Sequence, residues 1–302
     1  MRQHLNSINS ATGGRRRERP SNLVAGSGSL SSSRYPASQV TARSSVVLPA
    51  ITVSMPYVSR LATRAAMYAD LEALLAAVRE PVPRAEYRRL VIEENVLSRR
   101  TVAAREKVWK ELAARYAIDG SSPLFRAYLE EYRGATSARD RGLTSYVLFA
   151  LHDRLVCDLG TDWLYEYLRA APAELRKLDV LAFLSSRETA HPEILGWSSS
   201  SREHIARHYL TALKELGLAR GAQRKTSVRP SPGAAPVRFL LRAVLMSGAS
   251  PQAAVQSPLL RLLALTLDET VSLLFRLNAE GALRCRIQGD VVELDLGGRN
   301  GA

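Results

Sequence analysis

Cysteine is scarce: Cys157 and Cys285 are the only two in the chain. Two cannot build a disulfide framework or a four-thiolate zinc site, and a reducing cytoplasm is the simplest setting for them. Both read as small buried apolar residues. Long apolar runs are also lacking. The segment "FLLRAVLM" at 239–246 falls well short of the ~18 residues of a membrane span and carries Arg242, so no membrane partner is expected. Nothing apolar is sustained after Arg15-Arg16-Arg17, which excludes a twin-arginine export signal. "GSGS" at 26–29 lacks the Lys-Ser/Thr ending of a phosphate-binding loop.

Catalytic constellations are equally thin. His152-Asp153 resembles half of a phosphohydrolase metal pair, but His191, His204 and His208 supply no evident remaining ligands. His204 and His208 lie one helical turn apart with no converging carboxylate or cysteine. The run Ser198–Ser201 is explained by helix capping. No metal, no cofactor and no enzymatic activity are expected.

Positive charge is what the chain has in excess. It carries 42 Lys+Arg against 29 Asp+Glu, a formal +13, and a surplus of that size points to a polyanion. Residues 1–54 hold seven Arg and one Glu, leaving 35 Lys+Arg and 28 Asp+Glu for the rest. Clustering therefore matters more than the total. Residues 1–54 are rich in Ser, Gly and Arg without periodicity and read as a disordered basic tail, with Met55 as an alternative start.

From Tyr57 onward the chain reads as mainly α. Helical spacing covers Tyr57 to about Arg79, ended by Pro81 and Pro83. Further helices are expected at 85–95, 99–116, 123–133, 138–157, 162–170 and 173–187, with Thr161 and Asp162 as caps for the fifth of these. The expected domains are an N-terminal helix-turn-helix domain over 55–120, a central helical bundle over 121–190 and a C-terminal winged-helix region over 191–302, with small β-hairpin wings.

Three units resemble helix-turn-helix or winged-helix elements. In the first, "NVLSRRTVAAREKVWKELAARY" at 95–116, Ser98 reads as an N-cap. The helix dipole disfavours cations at a helix start, so Arg99 and Arg100 there suit phosphate, joined on one broad face by Lys107 and Lys110. In the second, Ser200-x-x-Glu203 reads as a capping box, Ile205, Tyr209, Leu213 and Leu216 as the buried stripe, and Gly217 as the stop. Outside lie Arg202, Arg207, His208, Thr211 and Lys214. A basic wing with Arg220, Arg224, Lys225 and Arg229 follows, and "PVRFLL" is the expected returning strand. In the third, Asp268 caps a helix ending at Gly281. A hairpin turning at Gly289-Asp290 pairs Ile287 with Val292, Arg286 with Glu293, Cys285 with Leu294, Arg284 with Asp295 and Leu283 with Leu296. Its charges cancel, which suits a structural or protein-docking module.

The order of "NVLSRRTVAAREKVWKELAARY", "WSSSSR…LTALKELGL" and "SPLLRLLAL…LLFRLNAEGALRCRIQGDVVELDL" resembles BrxA, a component of BREX bacteriophage-exclusion systems. The likeness covers most of residues 55–296. It implies a helical protein, likened in part to the antitermination factor NusB, with winged-helix parts, double-stranded DNA binding and a place in a multi-protein defence assembly. The inner-membrane label sometimes given to the family has no support in this sequence. The expected function is a non-enzymatic duplex-DNA binder, with Arg99, Arg100, Lys107, Lys110, Ser200, Arg202, Arg207, His208, Lys214, Arg224 and Lys225 at the DNA and other BREX proteins as partners. A defence-complex scaffold and a NusB-like RNA binder are the alternatives. RNA ranks lower because aromatics are only 6% of residues and fall mostly on core stripes. Oligomeric state is left open.

Overall fold

Hydroxyl and carboxylate caps start most of the helices. The computed structural model describes residues 55–289 and 291–297; the expected tail over 1–54 lies outside them. The first elements are a single 3-10 turn at Ser59–Ala62 and then α1 (Tyr68–Ala76), α2 (Arg84–Ile92) and α3 (Val102–Tyr116). Next come α4 (Pro123–Gly134), α5 (Ala138–His152), α6 (Arg154–Asp158), a π-turn at Leu159–Leu164 and α7 (Tyr165–Arg169). β1 (Glu174–Leu175), α8 (Lys177–Ser186), a 3-10 turn at Pro192–Gly196, α9 (Ser199–Glu215), β2 (Ala219–Arg220) and β3 (Lys225–Ser227) follow. The chain then forms α10 (Ala234–Met246), α11 (Pro251–Val255), a 3-10 turn at Pro258–Leu263, α12 (Leu267–Ala279), β4 (Arg284–Gln288) and β5 (Val291–Asp295). The architecture is thus mainly helical with two small antiparallel sheets.

Several boundaries differ from expectation, each for a local reason. The helix expected over 57–79 is interrupted between 62 and 68. Met67 is left-handed (φ 57°), and the carbonyls of Arg64, Ala65 and Ala66 are taken by Arg115 and Tyr116 instead of helical amides. Ser98 is no cap. It too is left-handed, and α3 is capped by Thr101, whose side chain accepts from the Ala104 amide. The nine residues between α2 and α3 are longer than a tight helix–helix turn. Asp153 splits the helix expected over 138–157 because its carboxylate accepts from the Leu155 and Val156 amides. Thr161 and Asp162 sit inside the π-turn rather than capping. Thr266 replaces Asp268 as the α12 cap, in a reciprocal capping box with Glu269. The strand β1, the short helix α11 and the placing of "PVRFLL" inside α10 were not expected from the sequence.

The expected third hairpin is present. Arg284↔Asp295, Cys285↔Leu294, Arg286↔Glu293 and Ile287↔Val292 face each other, and Gln288↔Val291 closes the ladder; Leu283 and Leu296 lie beyond it. Its arginines differ from expectation: the register sets them opposite acids, yet none makes an ion pair within 4.0 Å among the described residues.

The segments expected as separate domains share one core. α10 packs against α4 and α5, and α9 against the Ser59–Ala62 turn. Phe125, Tyr128, Phe149, Tyr209, Phe239 and Leu274 are all buried within a single apolar cluster.

Candidate nucleic-acid interface

A basic concave surface lies where β1, α9 and the β2–β3 hairpin meet. Ser198 caps α9 by accepting from the Ser201 amide. Ser200, expected to cap, is one residue inside the helix, and Glu203 bonds Lys177 at 3.0 Å instead of returning to the helix start. Ile205, Tyr209, Leu213 and Leu216 are buried as expected, and Gly217 at φ 83° stops the helix. That burial leaves Ser200, Arg207 and Lys214 outward. They are seven residues apart, so they form one stripe along the helix.

The hairpin returns through Lys225–Ser227, with Arg220↔Thr226 and Ala219↔Ser227 in register. β1 lies on the other side of β3, Glu174 facing Thr226 and Leu175 facing Lys225. This pairing carries Arg176 and Lys177 to the wall of an open cleft of about 260 Å³, where Arg207, Arg224 and Lys225 meet them. The side chains of Arg207 and Arg224 have no hydrogen bond and no ion pair within 4.0 Å among the described residues. Lys225 reaches only the Ala222 carbonyl, at 3.5 Å. Acids are present but engaged: Glu174 stands 3.7 Å from Arg176, and Glu203 holds Lys177.

Three of the expected contact residues are occupied inside the fold. Arg99 is paired with Asp70, and its amide donates to Asn95 Oδ1. Arg202 ties Glu188 at 2.7 Å and the Ile194 carbonyl at 3.0 Å, fixing the turn before α9. His208 points to the other side of the helix. Its Nδ1 lies 2.7 Å from the Leu61 carbonyl, which can only accept, so the proton is on Nδ1. Burial also lowers the tendency of this imidazole to charge. Arg100, Lys107 and Lys110 are exposed and have no such partner among the described residues. Arg100 precedes α3 rather than starting it, while Lys107 and Lys110 share a face of α3.

Arg176 and Lys177 were missed by sequence reasoning. The two-residue strand that delivers them is too short to show an alternating pattern. The dyad His152-Asp153 is buried structure: burial holds the imidazole down to about 4 and pushes the carboxyl up to about 6, while Asp153 caps α6. Among the described residues no group of three or more His, Cys, Asp or Glu side chains could hold a metal ion, and no helix is long and apolar enough to cross a membrane.

Similarity to known proteins agrees with this architecture. No curated protein matches the chain. The crystal structure of an uncharacterized protein from Magnetospirillum magneticum superposes with a TM-score of 0.52 at 14% identity, covering 64% of this chain and 96% of that one, a likeness of fold alone. The BrxA family model matches residues 55–242, from the segment before the Ser59–Ala62 turn into α10 and including the whole cleft. With more than half of its residues matched, the chain belongs to the BrxA family and is a BREX-associated protein.

Proposed function

We propose that this protein is a non-enzymatic duplex-DNA-binding component of a BREX phage-defence assembly, and that the cleft between α9 and the β2–β3 hairpin holds backbone phosphate. The observation that carries this reading is the convergence of Arg207, Arg224 and Lys225, unpaired with any acid among the described residues, on one concave surface. The order β1–α8–α9–β2–β3, with the sheet arranged β1-β3-β2, supports reading this part as a winged helix. In that arrangement α9 approaches a groove and the hairpin meets the neighbouring backbone. Contacts of this kind position a duplex without reading its sequence. Lys107 and Lys110 on α3 supply a second, weaker basic face.

Removing cations that touch phosphate lowers affinity for every duplex and flattens its salt dependence, by roughly one unit of slope for each phosphate no longer neutralised. Arg207→Ala/Arg224→Ala/Lys225→Ala is expected to do both in gel-shift titrations at two salt concentrations. Arg100→Ala/Lys107→Ala/Lys110→Ala is expected to have the smaller effect. Unchanged affinity in the first triple variant rejects the cleft. Tighter binding to single-stranded RNA than to duplex DNA favours the NusB-like alternative instead.

A further inference from the structure

The two sheets share a plan: two helical segments, then a two-stranded hairpin. In the first sheet, the second hairpin strand β3 carries β1 on its outer edge. In the second, β5 occupies the same place with β4 as its only strand neighbour among the described residues, and α11 packs against it. We propose that the outer edge of β5 is a docking site for an extended segment of another protein, one that alternates basic and aliphatic residues and adds as a third strand.

The register shows that this edge offers its backbone. Gln288 and Val291 close the hairpin. In such a hairpin the closing pair exchanges hydrogen bonds, and bonded and unbonded pairs then alternate. Cys285, Ile287, Val292 and Leu294 therefore turn their backbone groups away from the partner strand. Cys285 bears this out on the β4 side, where its amide donates to Asn278 Oδ1 of α12 at 3.0 Å. The β4 edge is thus covered by α12. On the β5 side no backbone hydrogen bond outside the ladder involves Val292 or Leu294 among the described residues. Unpaired edges of this kind are templates for strand addition.

Side chains define what would fit. Beside β5, a cleft of about 370 Å³ opens between the hairpin and helices α11 and α12, with Val255, Leu267, Val271, Ile287 and Val292 among its walls. An added strand would turn aliphatic residues into that cleft. On the opposite face Glu293 and Asp295 are exposed. Arg286 and Arg284 face them across the ladder without forming an ion pair within 4.0 Å. Residues of an added strand alongside these acids are best basic, because opposite charges on neighbouring strands attract. The same acids disfavour a second copy: two β5 strands paired about Glu293 or Leu294 set carboxylates opposite each other.

The test uses the full chain and a short synthetic peptide alternating lysine and valine, with a glutamate–valine peptide as control, read by fluorescence anisotropy. The lysine–valine peptide is expected to bind saturably and the control weakly. Glu293→Lys/Asp295→Lys should weaken the first by roughly tenfold and favour the second. Leu294→Pro removes an outward amide without touching the β4–β5 ladder, and should weaken both peptides. Duplex-DNA affinity should be unchanged in either variant, which separates this proposal from the phosphate cleft. Circular dichroism identifies a variant that fails to fold, in which case the other decides. The proposal is overturned by an absence of saturable binding, by affinities indifferent to both variants, or by a dimer of the chain that Leu294→Pro dissolves.

Discussion

Arg115 shows how much one side chain organises here. It is fully buried, and its guanidinium donates to the carbonyls of Arg60, Arg64, Ala65 and Glu111 and to the Glu111 carboxylate. Those of Arg64 and Ala65 belong to a stretch without helical partners, so the arginine takes the place of an extra turn of helix. Replacing it with Met leaves several buried acceptors without a donor and the Glu111 carboxylate with the Thr63 hydroxyl as its remaining hydrogen-bond donor. Loss of one member of a buried ion pair typically costs about 3–5 kcal/mol, and Arg115→Met is expected to fall in that range by urea denaturation. Lys at this position recovers little, because an ammonium cannot span the same fork of acceptors.

At the level of elements, the caps decide where helices begin. Ser198 and Ser200 look alike in sequence, yet only Ser198 accepts from an amide of the first turn. Ser198→Ala should cost about 1 kcal/mol and Ser200→Ala a few tenths, measurable as different shifts in the thermal midpoint. Helices of strong periodicity, such as α3, α4, α9 and α12, were legible within a few residues, as was the β4–β5 register. What escaped had no periodicity to show. β1 is two residues long, and the break between the Ser59–Ala62 turn and α1 is imposed by Arg115, about 50 residues away. The same limit applied to the cleft. The outward stripe of α9 could be read from spacing, but whether Arg99, Arg202 or His208 had partners depended on Asp70, Glu188 and Leu61, none of them sequence neighbours.

Across the whole molecule, packing and charge divide the chain differently. The core runs without a break from the Ser59–Ala62 turn to the last hairpin, because α10 is seated on α4 and α5. A fragment comprising 191–302, a natural choice from sequence alone, would expose the buried face of α10, including Val237, Phe239 and Leu240. It is expected to lack a cooperative thermal transition and to bind a hydrophobic dye, whereas the full chain unfolds in a single step. Free cations, by contrast, gather at the α9 cleft and on α3, while the last hairpin sets its charges in opposed pairs. One continuous body thus offers chemically distinct faces.

The stretch from Tyr57 to Ala66 makes its own demand on how this body forms. Tyr57 stacks on His191 with ring centres 3.5 Å apart, and the Leu61 carbonyl meets His208, 147 positions further along. On the ribosome this stretch emerges well before α9 and finds its seat only when α9 follows. At ordinary rates of translation that is an interval of about 7–30 s, during which Tyr57 and Leu61 stay uncovered and open to chaperones.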